Sequence, residues 1–407
     1  MADSRSIRAK KNIVVSLLCQ VVTLICGFIV PKLLLSAFGS EIYGATASIV
    51  QFLAYITLLE GGVGGVARAV LYKPLAENNQ TAISAILAEL RRFFRVIAGI
   101  FGVYVVILAC SFKSISGLAQ MDQLSTVLLV LVISISTFGQ YFIGISNSIL
   151  LQAAQRSYIT NFVNLIGTIV NTVVTVALVL LQCNIIAVKL VSSLIFLLKP
   201  IVLWLYVRKH YQISKTSRSA QKHLTQKWSG LGQHIAYFLH SNTDVVVLTC
   251  LASLKDVAVY SVYNMVISHI QNLAVSFVSG MEALFGDMLA KEEQKQLHET
   301  FDLYEMMISI VSVILFSAVA VLILPFVKLY TSGITDTNYR EPVFALLLTI
   351  SALLYCLRMP YHSLVIAAGH FKQTSLAAYG EAVINVVLSC LLVYHLGLVG
   401  VAIGTVV

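Results

Sequence analysis

The chain has 407 residues, 58% of them hydrophobic and 11% charged, with a formal net charge of +9. Soluble domains carry roughly 25% charged residues, so this composition, with a mean hydropathy of +0.88, excludes a soluble globular protein. The positive charge does not point to nucleic acid, because it is sorted among the loops between apolar blocks.

Those blocks are about 20 residues long, enough to cross roughly 30 Å of hydrocarbon as helix. They predict spans at 12–38, 43–67, 94–112, 125–146, 158–181, 184–207, 231–252, 257–283, 303–327, 342–366, 373–396 and from 398 onward, the last cut off at Val407. The first block is too long for a signal peptide and lacks a small-residue cleavage site. Lys and Arg alternate between the loops: nineteen lie on the N-terminal side, and only Lys113, Lys255, Lys328 and Arg340 on the other. By the positive-inside rule the N-terminus is expected in the cytoplasm. Residues 1–209 read as an N-terminal lobe, 210–230 as a charged cytoplasmic linker and 231–407 as a C-terminal lobe. Between spans two and three, Ile83, Ile86, Leu87, Leu90 and Phe94 recur at helical spacing. They fit an amphipathic helix on the leaflet or an extension of span three.

The two halves resemble each other. Leu150–Leu190 overlays Leu364–Gly404 without a gap, matching Ala153/Ala367, Ala154/Ala368, Thr160/Thr374 and Asn171/Asn385 among others. Glu41-Ile42 falls on Asp256-Val257 at nearly the same offset. The expected fold is an all-α polytopic membrane protein, with about twelve helices in two pseudo-symmetric six-helix lobes.

Polar side chains recur at three- to four-residue spacing inside several spans, on one helical face each. Span one carries Ser16, Gln20, Thr23 and then Pro31, an expected kink. Span two carries Ser48, Gln51 and Tyr55, and span five Thr160, Asn164, Thr168 and Asn171. Span seven carries His240 and Asp244, span eight Asn264, Ser268 and Gln271. Span ten carries Ser351, Tyr355 and Arg358, and span eleven Thr374, Glu381, Asn385 and Ser389. Hydroxyls of this kind serve as interhelical glue. Charged groups near the bilayer centre cost about 2.5–3.5 kcal/mol each on insertion scales. Lys32 and Lys199 can snorkel; Arg358, Lys189, Asp244 and Glu381 need another reason to be there. For Arg358 the two accounts are a buried pair with Glu381 and the wall of an aqueous, net-cationic cavity.

Gln20, Gln51, Arg68, Lys189, Asn264, Gln271, Arg358 and Asn385 are the candidate cavity residues, and His240, Asp244 and Glu381 the candidate ion-coupling groups. Guanidinium and ammonium groups suit phosphate, and amides and hydroxyls suit sugar, so a lipid-phosphate-linked sugar is the cargo this set favours. No phosphate loop, HExxH or GxSxG is present. The seven cysteines lie singly with no metal spacing. Neither enzymatic activity, a metal nor a cofactor is expected. Gly61-Gly62-Val63-Gly64-Gly65 follows no strand and reads as a flexible, close-packed helix end.

Four further motifs carry a resemblance. They are Phe38-Gly39-Ser40-Glu41-Ile42-Tyr43-Gly44, Glu60–Arg68 running into Tyr72-Lys73-Pro74-Leu75-Ala76, Asp244 ahead of Tyr260-Ser261, and Ala368–Lys372 through Asn385 to Gly397–Thr405. In their order and spacing the chain resembles bacterial polysaccharide flippases of the multidrug/oligosaccharidyl-lipid/polysaccharide exporter superfamily. The resemblance implies a V-shaped central cavity, alternating access, and outward translocation of undecaprenyl-diphosphate-linked oligosaccharide across the bacterial inner membrane for capsule or O-antigen synthesis. Membrane lipid, a polysaccharide polymerase and glycosyltransferases are the partners it implies, with no nucleic acid. Spans one, two, seven and eight would line the passage. A cation-coupled drug or metabolite exporter on the same fold and a non-transporting scaffold of a glycan-assembly complex are the alternatives.

Overall fold

A computed structural model describes residues 2–211, 231–276 and 281–407, which are helical apart from short turns and contain no strand. Helix α1 (Ala2–Ala54) runs through Pro31 and leaves helical dihedrals at Gly39 (φ 81°, ψ 173°), where the sequence predicts the turn between the first two spans. A 3₁₀ segment (Tyr55–Glu60) follows, and Gly61 and Gly62, both left-handed, lead into α2 (Val63–Ala76). Then come α3 (Gln80–Ser116), α4 (Gln123–Gly139), a π-helical turn (Gln140–Gly144), α5 (Ile145–Ala153), α6 (Ser157–Leu180) and α7 (Ile185–His210). The later part holds α8 (Leu231–Leu251), α9 (Leu254–Ser276), α10 (Met281–Ala290), α11 (Gln294–Tyr330), α12 (Pro342–Ala367), α13 (Phe371–Leu396) and α14 (Leu398–Val406).

Among the described residues, eight helical stretches are long and apolar enough to cross a membrane. The chain is a multi-pass membrane protein. Span eight, α9, is helical as expected but falls short of that apolarity, because Asn264, His269, Gln271 and Asn272 interrupt it. The segment from Ile83 to Phe94 is the first part of α3, with Ile83, Ile86, Leu87, Leu90 and Phe94 all 0–1% exposed. Its apolar face is thus covered by protein, as in an extension of span three, and does not lie on lipid.

The internal repeat is far clearer in the backbone than in the side chains. Helix α3 (Gln80–Ser116) and α11 (Gln294–Tyr330) start and stop at positions displaced by the same 214 residues. So do the ends of α2 and α10, at Ala76 and Ala290, and the starts of α6 and α13, at Ser157 and Phe371. The turns repeat too. Gln155 (φ 57°) and Gly369 (φ 71°) are both left-handed, as are Asn78 (φ 53°) and Glu292 (φ 58°), all at that displacement. The Arg156 amide donates to the Leu151 carbonyl, and His370 to Val365 in the matching turn. This six-to-one bond is the Schellman closure, which satisfies carbonyls orphaned at a helix end.

The chain divides into two compact units, Met1–Phe38 with Ile49–His234, and Gly39–Ser48 with Ile235–Val407. Most of the 210–230 segment expected as the linker lies outside the described residues. Within the second unit, Gly39–Ser48 packs on α8, α9 and the α11–α12 loop. Asp336 accepts from the Ser40 amide (2.7 Å) and hydroxyl (2.6 Å). Ser40 has only one hydroxyl proton, so Tyr339 donates to its oxygen (2.7 Å). Burial pushes the Tyr339 hydroxyl up to about 12, which keeps it a donor. Ser48 bonds Thr249 (2.7 Å).

Gly44 makes this packing possible. A Cβ there would lie 1.8 Å from the Leu254 carbonyl oxygen and 2.8 Å from its carbon. Backbone of this kind cannot yield as a side-chain tip can. Gly44→Ala is expected to destabilise the protein by about 1–3 kcal/mol, the range for overpacking a tight contact. Gly64→Ala, with nothing within 4 Å of its Cβ, should stay within about 0.5 kcal/mol of wild type. Thermal unfolding in detergent measures both, and equal midpoints for the two variants would contradict the packing argument.

Candidate functional site

The second unit contains a cavity of about 630 Å³. Helices α8, α9, α12, α13 and α14 supply its walls, and Asp244, Asn264, Gln271, Arg358, Glu381 and Thr405 are the polar groups that give it chemical character. Five of these six are candidates from sequence, drawn from four different helices. Tyr355, Ser351 and Ser268 also line it.

Arg358 lies on α12 and Glu381 on α13. The Arg358 Nη1 donates to both carboxylate oxygens of Glu381, at 2.7 and 2.8 Å. Their side chains are 46% and 30% exposed, so the pair sits on the cavity wall instead of inside the packing. The two accounts of Arg358 therefore merge into one: it is paired, and the pair faces open space. Its guanidinium lies 5.8 Å from the centre of the Tyr355 ring one turn earlier, a cation–π distance that helps fix its plane. One nitrogen holds both bonds. Nε and Nη2, with three of the five N–H donors of a guanidinium, have no hydrogen-bond partner among the described residues.

Asp244, on α8, is only 4% exposed. Its Oδ2 accepts from Tyr260 on α9 (2.9 Å) and from Thr405 on α14 (3.0 Å). Thr405 is shared, since its hydroxyl also lies 3.0 Å from the Val401 carbonyl. The other oxygen, Oδ1, is buried with no partner among the described residues. A carboxylate so placed is costly unless it takes up a proton or a cation.

Thr405 is not a candidate from sequence, and the signal for it lies in its neighbours. Gly400 and Gly404 form a small-xxx-small pattern that lets α14 approach α13 closely. A Cβ on Gly400 would lie 2.5 Å from the Leu392 carbonyl, and one on Gly404 2.2 Å from the Ser389 hydroxyl oxygen. That close approach is what carries Thr405 to Asp244. Asn272 is a second lining residue that the sequence reading passes over.

The other candidates lie elsewhere. Asn385 is 1% exposed beneath α14, and neither atom of its amide has a partner among the described residues. Arg68 belongs to the first unit, where it donates to Gln152 (2.8 Å). Lys189 on α7, Gln20 on α1 and Gln51 on α1 also belong to the first unit and do not line this cavity. The His240 side chain lies outside the described residues. The expected surplus of cations is not found here: among the described lining residues one guanidinium faces two carboxyls, because Glu381 neutralises Arg358 and Asp244 has no basic partner. The first unit has its own carboxylate within the spans. Glu60, just before the Gly61-Gly62 break, accepts from Tyr141 in the π-helical turn.

A structure described as the lipid II flippase MurJ in an inward closed conformation superposes with a TM-score of 0.73 at 13% identity, covering 97% of this chain and 84% of that one. An inward-facing multidrug resistance MATE family transporter of the MOP superfamily gives 0.64 at 14% identity, covering 95% and 91%. The Vibrio cholerae MATE transporter VcmN, as a single-residue mutant, gives 0.63 at 15% identity, covering 100% and 94%. The fold is that of the MATE and MurJ transporters. No protein-family model and no curated protein sequence matches the chain. At such low identity the likeness shows the fold and leaves cargo to the chemistry of the cavity.

Proposed function

We propose that this protein is a non-enzymatic flippase that moves an undecaprenyl-diphosphate-linked oligosaccharide across the bacterial cytoplasmic membrane by alternating access. One observation carries the reading. Arg358 is held on the cavity wall by a single nitrogen, which leaves a planar set of N–H donors for a second anion of phosphate geometry. Asn264, Gln271 and Asn272 on α9 add amides able to exchange hydrogen bonds with sugar hydroxyls. Glu381 keeps the guanidinium oriented before cargo arrives, and a diphosphate, with more charge, competes for it. In this reading Asp244 is the coupling group: a proton or cation binds at Oδ1 in one half of the cycle and leaves in the other. Arg68 and Lys189 would act outside this cavity, on the first unit.

A second reading has its own support. Two carboxyls and the rings of Tyr260 and Tyr355 on one cavity suit an organic cation, and two of the compared structures are named as MATE transporters. Reconstituted liposomes separate the two. Flipping of a fluorescent undecaprenyl-diphosphate oligosaccharide, with no efflux of an organic cation such as ethidium, is the expected result. Cation efflux alone would establish the exporter, and movement of neither would leave a scaffold.

A further inference from the structure

We infer that a second cavity, at the opposite end of α11 from its start at Gln294, is a binding site for a phosphate-bearing lipid. It goes beyond the transport reading and rests only on the chain spanning a membrane. The cavity measures about 560 Å³ and is bounded by the last turns of α11 and the loop to α12. Its apolar wall is Leu324, Pro325 and Ile334; its cations are Lys328 and Arg340; no acid lines it among the described residues.

Three features make this an unusual place. The loops on this side carry only four Lys or Arg in the whole chain. Three of them, Lys255, Lys328 and Arg340, converge on one loop, with Lys255 donating to the Asp336 carbonyl (2.9 Å). Lys328 and the Arg340 side chain make no ion pair or hydrogen bond among the described residues, although acids are close by. Those acids are occupied: the Asp336 carboxylate holds Ser40 through both oxygens, and Glu341 accepts from the Asn338 amide (3.2 Å). Thus neither cation has an anionic partner among the described residues, and both stand beside an apolar wall at the end of a membrane-spanning helix.

That combination matches an amphiphile. A free phosphate would use the cations and ignore the wall; a neutral lipid would use the wall and ignore the cations. A lipid phosphate uses both, with acyl or prenyl carbon against Leu324, Pro325 and Ile334 and the anion between Lys328 and Arg340. The occupant would also lie against Tyr339, which lines the cavity and donates to Ser40. Its source is either bulk anionic phospholipid or a polyprenyl phosphate.

Native mass spectrometry of the purified full chain tests this, with dioleoylphosphatidylglycerol, dioleoylphosphatidylcholine, undecaprenyl phosphate and sodium phosphate as probes. One or both lipid phosphates should bind in preference to phosphatidylcholine. Lys328→Ala with Arg340→Ala should weaken that binding about thirtyfold, from roughly a five- to sixfold loss per cation near the surface. Ile334→Trp, which fills the cavity but keeps both charges, should weaken it as well; because it spares the charges, a folding defect in the double variant cannot decide the matter. Phosphatidylglycerol alone would identify bulk lipid, and undecaprenyl phosphate preferred over it would identify the carrier. Sodium phosphate binding as tightly as either lipid, or lipid binding unchanged in both variants, would overturn the proposal. Flipping activity is read separately in liposomes, so loss of this site and failure of the transport reading give different results.

Discussion

Arg358→Ala should reduce oligosaccharide-lipid flipping by at least about tenfold, on the scale of a lost hydrogen bond to a charged group, while the protein still inserts and purifies as wild type. The pair with Glu381 is partly exposed, so its loss costs little stability; exposed ion pairs contribute about 0–1 kcal/mol. Arg358→Lys keeps the charge but loses the planar fork and should recover only part of the rate. The reversed pair, Arg358→Glu with Glu381→Arg, restores an ion pair while moving the cation to α13. Flipping should stay low in it if the position of the guanidinium matters, and return if the pair were only a structural tie. Wild-type flipping in Arg358→Ala would remove the residue from the mechanism.

Asp244→Asn should abolish the dependence of transport on an imposed proton or sodium gradient and lower the driven rate by up to about fiftyfold, the scale of one lost charge worth roughly 2.3 kcal/mol across 100 mV. The amide oxygen can still accept from Tyr260 and Thr405, so this variant should fold. Asp244→Ala should not fare so well. It leaves the buried Tyr260 hydroxyl without its acceptor, a loss of about 1–3 kcal/mol, seen as a lower unfolding midpoint in detergent. Gradient-dependent transport retained in Asp244→Asn would show that coupling lies in another group.

Much of the architecture was legible because apolar block length is a direct physical requirement of the bilayer. The break at Gly39 was readable from Phe38-Gly39-Ser40-Glu41, and the start of α13 from the basic residues His370 and Lys372. The repeat was visible only faintly in side chains, since Leu, Val and Ala substitute freely in packed apolar helices. It is plain in turn geometry, where Gln155 and Glu292 take a left-handed conformation with no glycine to announce it. The cavity was half legible. Asp244, Arg358 and Glu381 stood out because charge in hydrocarbon is costly. Asn385, read from the polar stripe of its helix, faces packing under α14, since periodicity places a residue on a face without saying what covers that face. Thr405 stayed hidden because its role depends on helix approach, which two glycines decide and a hydroxyl does not reveal.

The seat of Gly39–Ser48 in the second unit has a consequence for biosynthesis. Ser40 leaves the ribosome 296 residues before its partner Asp336. At about 5–20 residues per second that is a delay of roughly 15–60 s. Leu254, against which Gly44 packs, emerges sooner, but until Asp336 follows, Ser40 lacks its partner, so the nascent segment is a natural client for an insertase or chaperone.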